Sequence, residues 1–413
     1  MRHLILLGRT LSVATLALAA ATQASAAPTS ILFVGNSFTF GRVDPVMHYN
    51  AANVHDLTAA MNVVNSSGSN PYETHNWGGV PGLFKSFTDQ AGLNYDVSIS
   101  ARNAASLRGQ YLNTNPAGWD LQGNITSQKW DNVVLQGLSD EALPTGKTAN
   151  ANPATFNFYA NKIESYIHQG LNPGLDVAGS INTTEAALWG GLAACQAAGL
   201  SAGSCNTARN IKTNPNENAA ANVYLYETWA RPDLVFAHTT PTVDPVTGAI
   251  TYPAGNPAAV LAYPNAMQSM TNDLHTSYFG LAASNTNFKG VVGVGDAFQT
   301  AINNGWATPN PYAANALTDG LLDLWWDDGL HANKYGSYLS GLMMFGKITG
   351  LNPQSLGYDE KAAKDLGIGQ FDAYRLQQIA AQQLGFQVVP EPTSLALVGL
   401  GLLAAAASRR RRR

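Results

Sequence analysis

The chain has 413 residues, 45% of them hydrophobic and only 12% charged, with a formal net charge of -4. That length suits one large domain with insertions, and the slightly acidic balance excludes an electrostatic nucleic-acid binder, because no basic field is present to meet phosphates. The 39 glycines and 20 prolines are near ordinary usage, which excludes a long disordered chain.

In chain order, the first element reads as an export signal. Arg2, His3 and Arg9 precede an apolar run over residues 11–20, too short to span a bilayer, and Ala24-Ser25-Ala26 offers the small residues of a cleavage site. Residues 1–27 are therefore assigned to a signal peptide and 28–387 to a single domain. The sequence "SILFV" reads as an apolar strand ending in Gly35-Asn36-Ser37. Residues 95–101, 131–137, 222–230 and 290–298 read as four more strands, and "NVVL" and "GVVGV" within them are apolar on both faces, as parallel strands covered by helices must be. Helical periodicity covers residues 156–169, 265–279 and 297–304, and a further segment after His331 sets Tyr338, Leu342 and Phe345 on one face. Strands alternating with helices predict an α/β fold with a mainly parallel, five-stranded sheet. Residues 65–82, 180–222 and 241–257 read as loop insertions, the last as a β-hairpin. In an exported chain, Cys195 and Cys205 predict a disulfide across a small loop.

The chemistry-bearing residues lie near the two ends of this domain. Ser37 follows the first strand, and in open α/β sheets ligands bind beyond the carboxyl ends of strands. The amides of a helix starting there favour developing negative charge. A serine nucleophile needs a base, and the base needs an acceptor that fixes its tautomer. The sequence "WWDDGLHANKYG" supplies both, with Asp328 three residues before His331. Among eight histidines, only His331 has an acid at this spacing in a glycine-containing loop. His55 beside Asp56 and His275 near Asp273 read as surface or packing residues on helices. Asp327, Asp328 and His331 lack a second histidine nearby, so no metal is expected. Gly293–Asp296 lacks the glycine spacing of a dinucleotide turn and reads as a strand end, so no cofactor is expected either. Trp325 and Trp326 read as packing residues, with stacking on a sugar ring as the alternative, and Arg231 as the partner of a nearby acid.

These blocks resemble the SGNH (GDSL-like) hydrolase superfamily. "ILFVGNSFT" resembles its first block, with Asn36 where the family usually carries Asp, and "DDGLHANKYG" resembles its last. "DNVVLQGLSD" resembles the third block, but Ser139 stands where the family has its oxyanion-hole asparagine, leaving Gln136 as an alternative amide donor. "ARNAASLRG" is the nearest match to the second block, with Ala105 in the role of the family's glycine. The resemblance implies a flavodoxin-like three-layer sandwich and ester hydrolysis without metal or cofactor. It implies Ser37 as nucleophile, His331 as base and Asp328 as its orienting acid. The oxyanion hole it implies is built from the Ser37 and Ala105 N–H groups with Gln136 or Ser139.

Residues 388–413 combine Pro390-Glu391-Pro392, an apolar stretch over 395–407 and five terminal arginines. This tail resembles the PEP-CTERM sorting signal of Gram-negative bacteria. The resemblance implies an exosortase-type processing partner, membrane attachment through the C-terminal segment before processing, and a periplasmic, cell-surface or matrix location. The combined reading is an exported serine esterase acting on small acyl groups, such as acetyl, of a small molecule or polysaccharide. Two other readings stay open: a non-catalytic glycan-binding matrix protein, which the altered oxyanion blocks favour, and an acyltransferase, which needs an activated donor.

Overall fold

The computed structural model describes residues 27–62, 74–113, 119–170, 180–237, 242–243, 250–251, 261–313, 315–316 and 318–389. Residues 1–26 of the expected signal peptide and the tail beyond residue 389 lie outside these residues, as do residues 65–73 of the 65–82 insertion. The strands are β1 (Thr29–Gly35), β2 (His55–Asp56), β3 (Tyr95–Ala101), β4 (Asn132–Leu135), β5 (Ser180–Thr184), β6 (Ala208–Lys212), β7 (Asn222–Tyr226), β8 (Thr242–Val243), β9 (Ile250–Thr251) and β10 (Phe288–Val292).

Six of them form a wholly parallel sheet in the order β10-β7-β4-β1-β3-β2. The sixth strand, absent from the five-stranded expectation, is β2, whose His55 and Asp56 read as helical in the sequence. Two residues at a sheet edge carry no alternation that a pattern can reveal. Without β2, the order by chain position is 2-1-3-4-5, that of the flavodoxin-like doubly wound sheet. The chain leaves β1 to one side for β3 and to the other for β4, so the crevice opens at the carboxyl end of β1.

Burial shows why this sheet needs helices on both faces. Ile31, Leu32, Phe33 and Val34 are each 0% exposed although successive strand residues point to opposite faces. Helix Lys334–Thr349 packs on helices Gly79–Gln90 and Gln370–Gln383, and helix Leu107–Leu112 packs on helix Pro153–Gln169. The last of these shows how sequence sets an element's limits. Asn152 caps Thr155 N, Pro153 stands in the first turn, and Gly170 closes the helix at φ 70. Its Phe156, Tyr159, Ile163 and Tyr166 are fully buried, the apolar stripe that predicted it. The predicted strand over 290–298 ends instead at Val292, and helix Val294–Asn303 begins at once. Tyr338, Leu342 and Phe345 are buried together on helix Lys334–Thr349.

The insertions have structure of their own. β5 and β6 pair antiparallel, and the buried Cys195 and Cys205 are joined by a disulfide. β8 and β9 pair antiparallel inside the 241–257 stretch, as the hairpin reading expected. Among the described residues, no helix is long and apolar enough to cross a membrane.

Candidate active site

The turn after β1 is built for close approach. A Cβ on Gly35 would lie 2.0 Å from Thr39 Oγ1 and 2.6 Å from Gln136 Oε1, so a side chain here would break the turn. Asn36 caps the one-turn helix Ser37–Phe40 through Oδ1, which accepts from Phe38 N at 3.1 Å. Its Nδ2 donates to Ala105 O at 3.1 Å and to Gly137 O at 3.0 Å, tying the loops after β3 and β4 to the turn. A carboxylate offers no donors, so Asn36 makes two bonds that an aspartate in its place could not. Gln136 Oε1 accepts from Asn36 N and from Thr39 Oγ1, each at 2.9 Å.

This turn sets Ser37, which is 6% exposed, against His331 from the other end of the domain. Ser37 Oγ donates to His331 Nε2 at 2.8 Å, and His331 Nδ1 lies 2.6 Å from Asp328 Oδ2. Asp328 Oδ1 accepts from Leu330 N and His331 N, each at 2.9 Å, which fixes the loop that carries the imidazole. Gly329 inside that loop takes a left-handed φ of 62, a conformation suited to glycine. Phe38 meets the imidazole edge-on and stacks on Trp229 with centroids 4.0 Å apart, while Trp229 Nε1 donates to Leu330 O.

The electrostatics suit a base. Burial lowers the His331 pKa below its ordinary value, and the Arg42 and Arg231 charges push the same way against the opposing Asp328. Burial raises the Asp328 carboxyl, but the His331 hydrogen bond, its charge and two backbone N–H groups bring it below the ordinary value. A neutral imidazole beside an ionised carboxylate is the state that can accept a serine proton near neutral pH.

The oxyanion residues fall differently from the expectation. A cavity of about 250 Å³ is lined by Ser37, His331, Arg42, Asn103, Ala104 and Ser139, among others, but not by Ala105 or Gln136. Gln136 is fully buried, its Oε1 holds the serine turn, its Nε2 donates to Gly137 O, and it does not line the cavity in which an oxyanion would form. The Ala105 N–H donates to Arg102 O at 3.2 Å. Ala104, one residue earlier, lines the cavity with a φ of 52, the kind of conformation glycine favours. Nothing in "NAA" selects between the two alanines, and Asn103 likewise carried no signal. Ser139 reaches the cavity, but its Oγ accepts from Arg231 Nη1 at 2.9 Å. Arg231 also makes two bonds to Asp233, so it does pair with a nearby acid.

The remaining sequence candidates have other partners. Trp325 is buried and donates to Ala230 O, consistent with packing. His55 pairs with Asp96 and Asp56 with His75. His275 is helical, as expected, but pairs with Asp296, whereas Asp273 accepts from Tyr263.

Comparison with known proteins adds two findings. The PEP-CTERM protein-sorting motif matches residues 388–412, which implies export and sorting toward the surface. No curated protein matches the chain. Among solved structures, the chain is similar to a "putative SGNH hydrolase" from Slackia heliotrinireducens, with 14% identity over 78% of this chain and 100% of that one, at a TM-score of 0.35. It is also similar to a DUF4886 family protein from Bacteroides uniformis, with 12% identity over 89% of this chain and 99% of that one, at a TM-score of 0.41. The sheet order places the chain in the α/β class, and the tail marks it for export.

Proposed function

We propose that this chain is an exported serine esterase that hydrolyses small acyl esters, acetyl groups on extracellular polysaccharide being the substrate class that the sorting signal favours. The observation that carries this reading is the continuous relay from Ser37 Oγ to His331 Nε2 at 2.8 Å and from His331 Nδ1 to Asp328 Oδ2 at 2.6 Å.

In this mechanism Ser37 Oγ attacks the ester carbonyl while His331 Nε2 takes its proton, and Asp328 stabilises the resulting imidazolium. The Ser37 N–H, at the first helical position, has no intrahelical acceptor, and with the Ala104 N–H it receives the oxyanion. Asn103, which lines the same cavity, flanks it as a side-chain donor. The tetrahedral intermediate expels the alcohol, which takes the His331 proton and leaves an acyl-Ser37. Water, deprotonated by His331, then attacks that ester and frees the acid and Ser37. None of these steps calls on a cofactor.

A cavity of about 250 Å³ supports a short acyl group, being below the roughly 300 Å³ at which ordinary small-molecule pockets begin. The sorting motif supports a periplasmic or surface location and an exosortase-type processing partner. The test is acid release from an aryl acetate and from acetylated polysaccharide, with Ser37→Ala alongside. Turnover that the variant loses is the expected result. Measurable glycan affinity with no turnover in either protein would put the binding reading in its place.

A further inference from the structure

A second group of chemistry-bearing residues lies outside the catalytic cavity. Glu227 follows the carboxyl end of β7 and is 0% exposed. Its Oε2 accepts from Asp296 N at 3.1 Å and so holds the first turn of helix Val294–Asn303. Its Oε1 is buried and has no hydrogen-bond partner among the described residues. A buried carboxylate oxygen without a donor is costly and calls for a proton or a cation.

His275 reaches the same place from helix Met267–Ser284, its Nδ1 2.8 Å from Asp296 Oδ2 and its ring stacked on Phe279. One ligand atom from each of Glu227, His275 and Asp296 lies within 4.8 Å of the other two. Ligand atoms around a tetrahedral Zn²⁺, with bonds of about 2.1 Å, stand roughly 3.4 Å apart. The difference is small enough for the His275 and Asp296 side chains, 46% and 16% exposed, to close by rotation. A cavity of about 370 Å³ opens beside them, with Lys347 and Gln383 as its other polar lining groups, and leaves room for a water ligand.

We infer that Glu227, His275 and Asp296 form a binding site for one divalent transition-metal cation of the Zn²⁺ type, held by an imidazole nitrogen and two carboxylate oxygens. The mixed nitrogen and oxygen set selects Zn²⁺ or Co²⁺ over Mg²⁺ and Ca²⁺, which prefer oxygen alone. The cation neutralises the buried Glu227 and joins the end of β7 to two helices. It shares no residue with the Ser37 cavity and takes no part in the esterase steps above.

The test uses the full chain stripped of metal with a chelator and titrated separately with Zn²⁺, Co²⁺, Ca²⁺ and Mg²⁺. The expected result is one ion per chain, a higher Tm with Zn²⁺, and the strong visible bands of four-coordinate Co²⁺. His275→Ala, on a partly exposed helix face, removes the bands and the Tm shift. Glu227→Gln keeps an oxygen for the helix turn and weakens binding by about tenfold or more. Three outcomes would each overturn the inference: no saturable binding, binding undiminished in His275→Ala, or tighter binding of Ca²⁺ or Mg²⁺ than of Zn²⁺.

Discussion

Two of the histidine–carboxylate pairs near the carboxyl edge of the sheet invite comparison, His331 with Asp328 at 2.6 Å and His275 with Asp296 at 2.8 Å. They differ in the third member and in burial. His331 is 3% exposed and its free nitrogen meets the Ser37 hydroxyl, a group that can give up a proton. His275 has a side chain 46% exposed and its third neighbour is the carboxylate of Glu227, which attracts a cation instead. A histidine–acid pair alone therefore does not define chemistry; the group that completes it does.

The largest expected effect breaks the first triad at its nucleophile. Ser37→Ala should lower kcat on an aryl acetate by about 10⁴-fold or more, and adding His331→Ala should cost little extra, because the two act as a unit. Independent losses that add in the double variant would contradict the relay. Asp328→Asn should cost roughly 10³- to 10⁴-fold in kcat by removing the acceptor that fixes the imidazole tautomer, with the fold retained by circular dichroism.

The pH profile sharpens the same contrast. Burial lowers the His331 pKa, so kcat/KM should hold through the ordinary histidine range near 6.5 and fall only below it. Stability follows the same sign. Unfolded His331 binds a proton that the folded state resists, and Asp328 is held below its ordinary value, so both contributions are lost as pH falls. An apparent pKa above 6.5 in the kcat/KM profile would contradict the buried neutral imidazole.

A moderate effect is expected at Asn36. Asn36→Ala removes three buried hydrogen bonds, and each partner left unsatisfied costs about 1–3 kcal/mol, so a Tm drop of several degrees and a slower enzyme are expected together. An unchanged Tm would show that the loops after β3 and β4 do not depend on it. The smallest effect concerns Glu141, whose carboxyl burial pushes up to about 7. Its folded pKa exceeds the unfolded value, so its stabilising contribution is present at acid pH and is lost as pH rises through about 7. Glu141→Gln should therefore raise Tm at pH 8 more than at pH 5, by thermal melts at both.

The parts of the molecule legible in its sequence are local ones. The apolar run into Gly35-Asn36-Ser37 and the Asp328-x-x-His331 loop each hold their geometry within a few residues, so strand, turn and acid–base spacing could be read directly. The oxyanion residues could not. The proposed ones depend on the left-handed backbone at Ala104, and on Gln136 being committed to the serine turn across 100 residues of chain. The partner of His275 was likewise hidden, since Asp296 lies 21 residues away on another helix while Asp273, two residues away, bonds Tyr263.

Covalent labelling reads out the activation of Ser37 by His331. Incubation with a fluorophosphonate followed by peptide mass spectrometry should give one phosphonyl adduct per chain, on Ser37, lost in His331→Ala. No adduct, or one on another residue, would contradict the account.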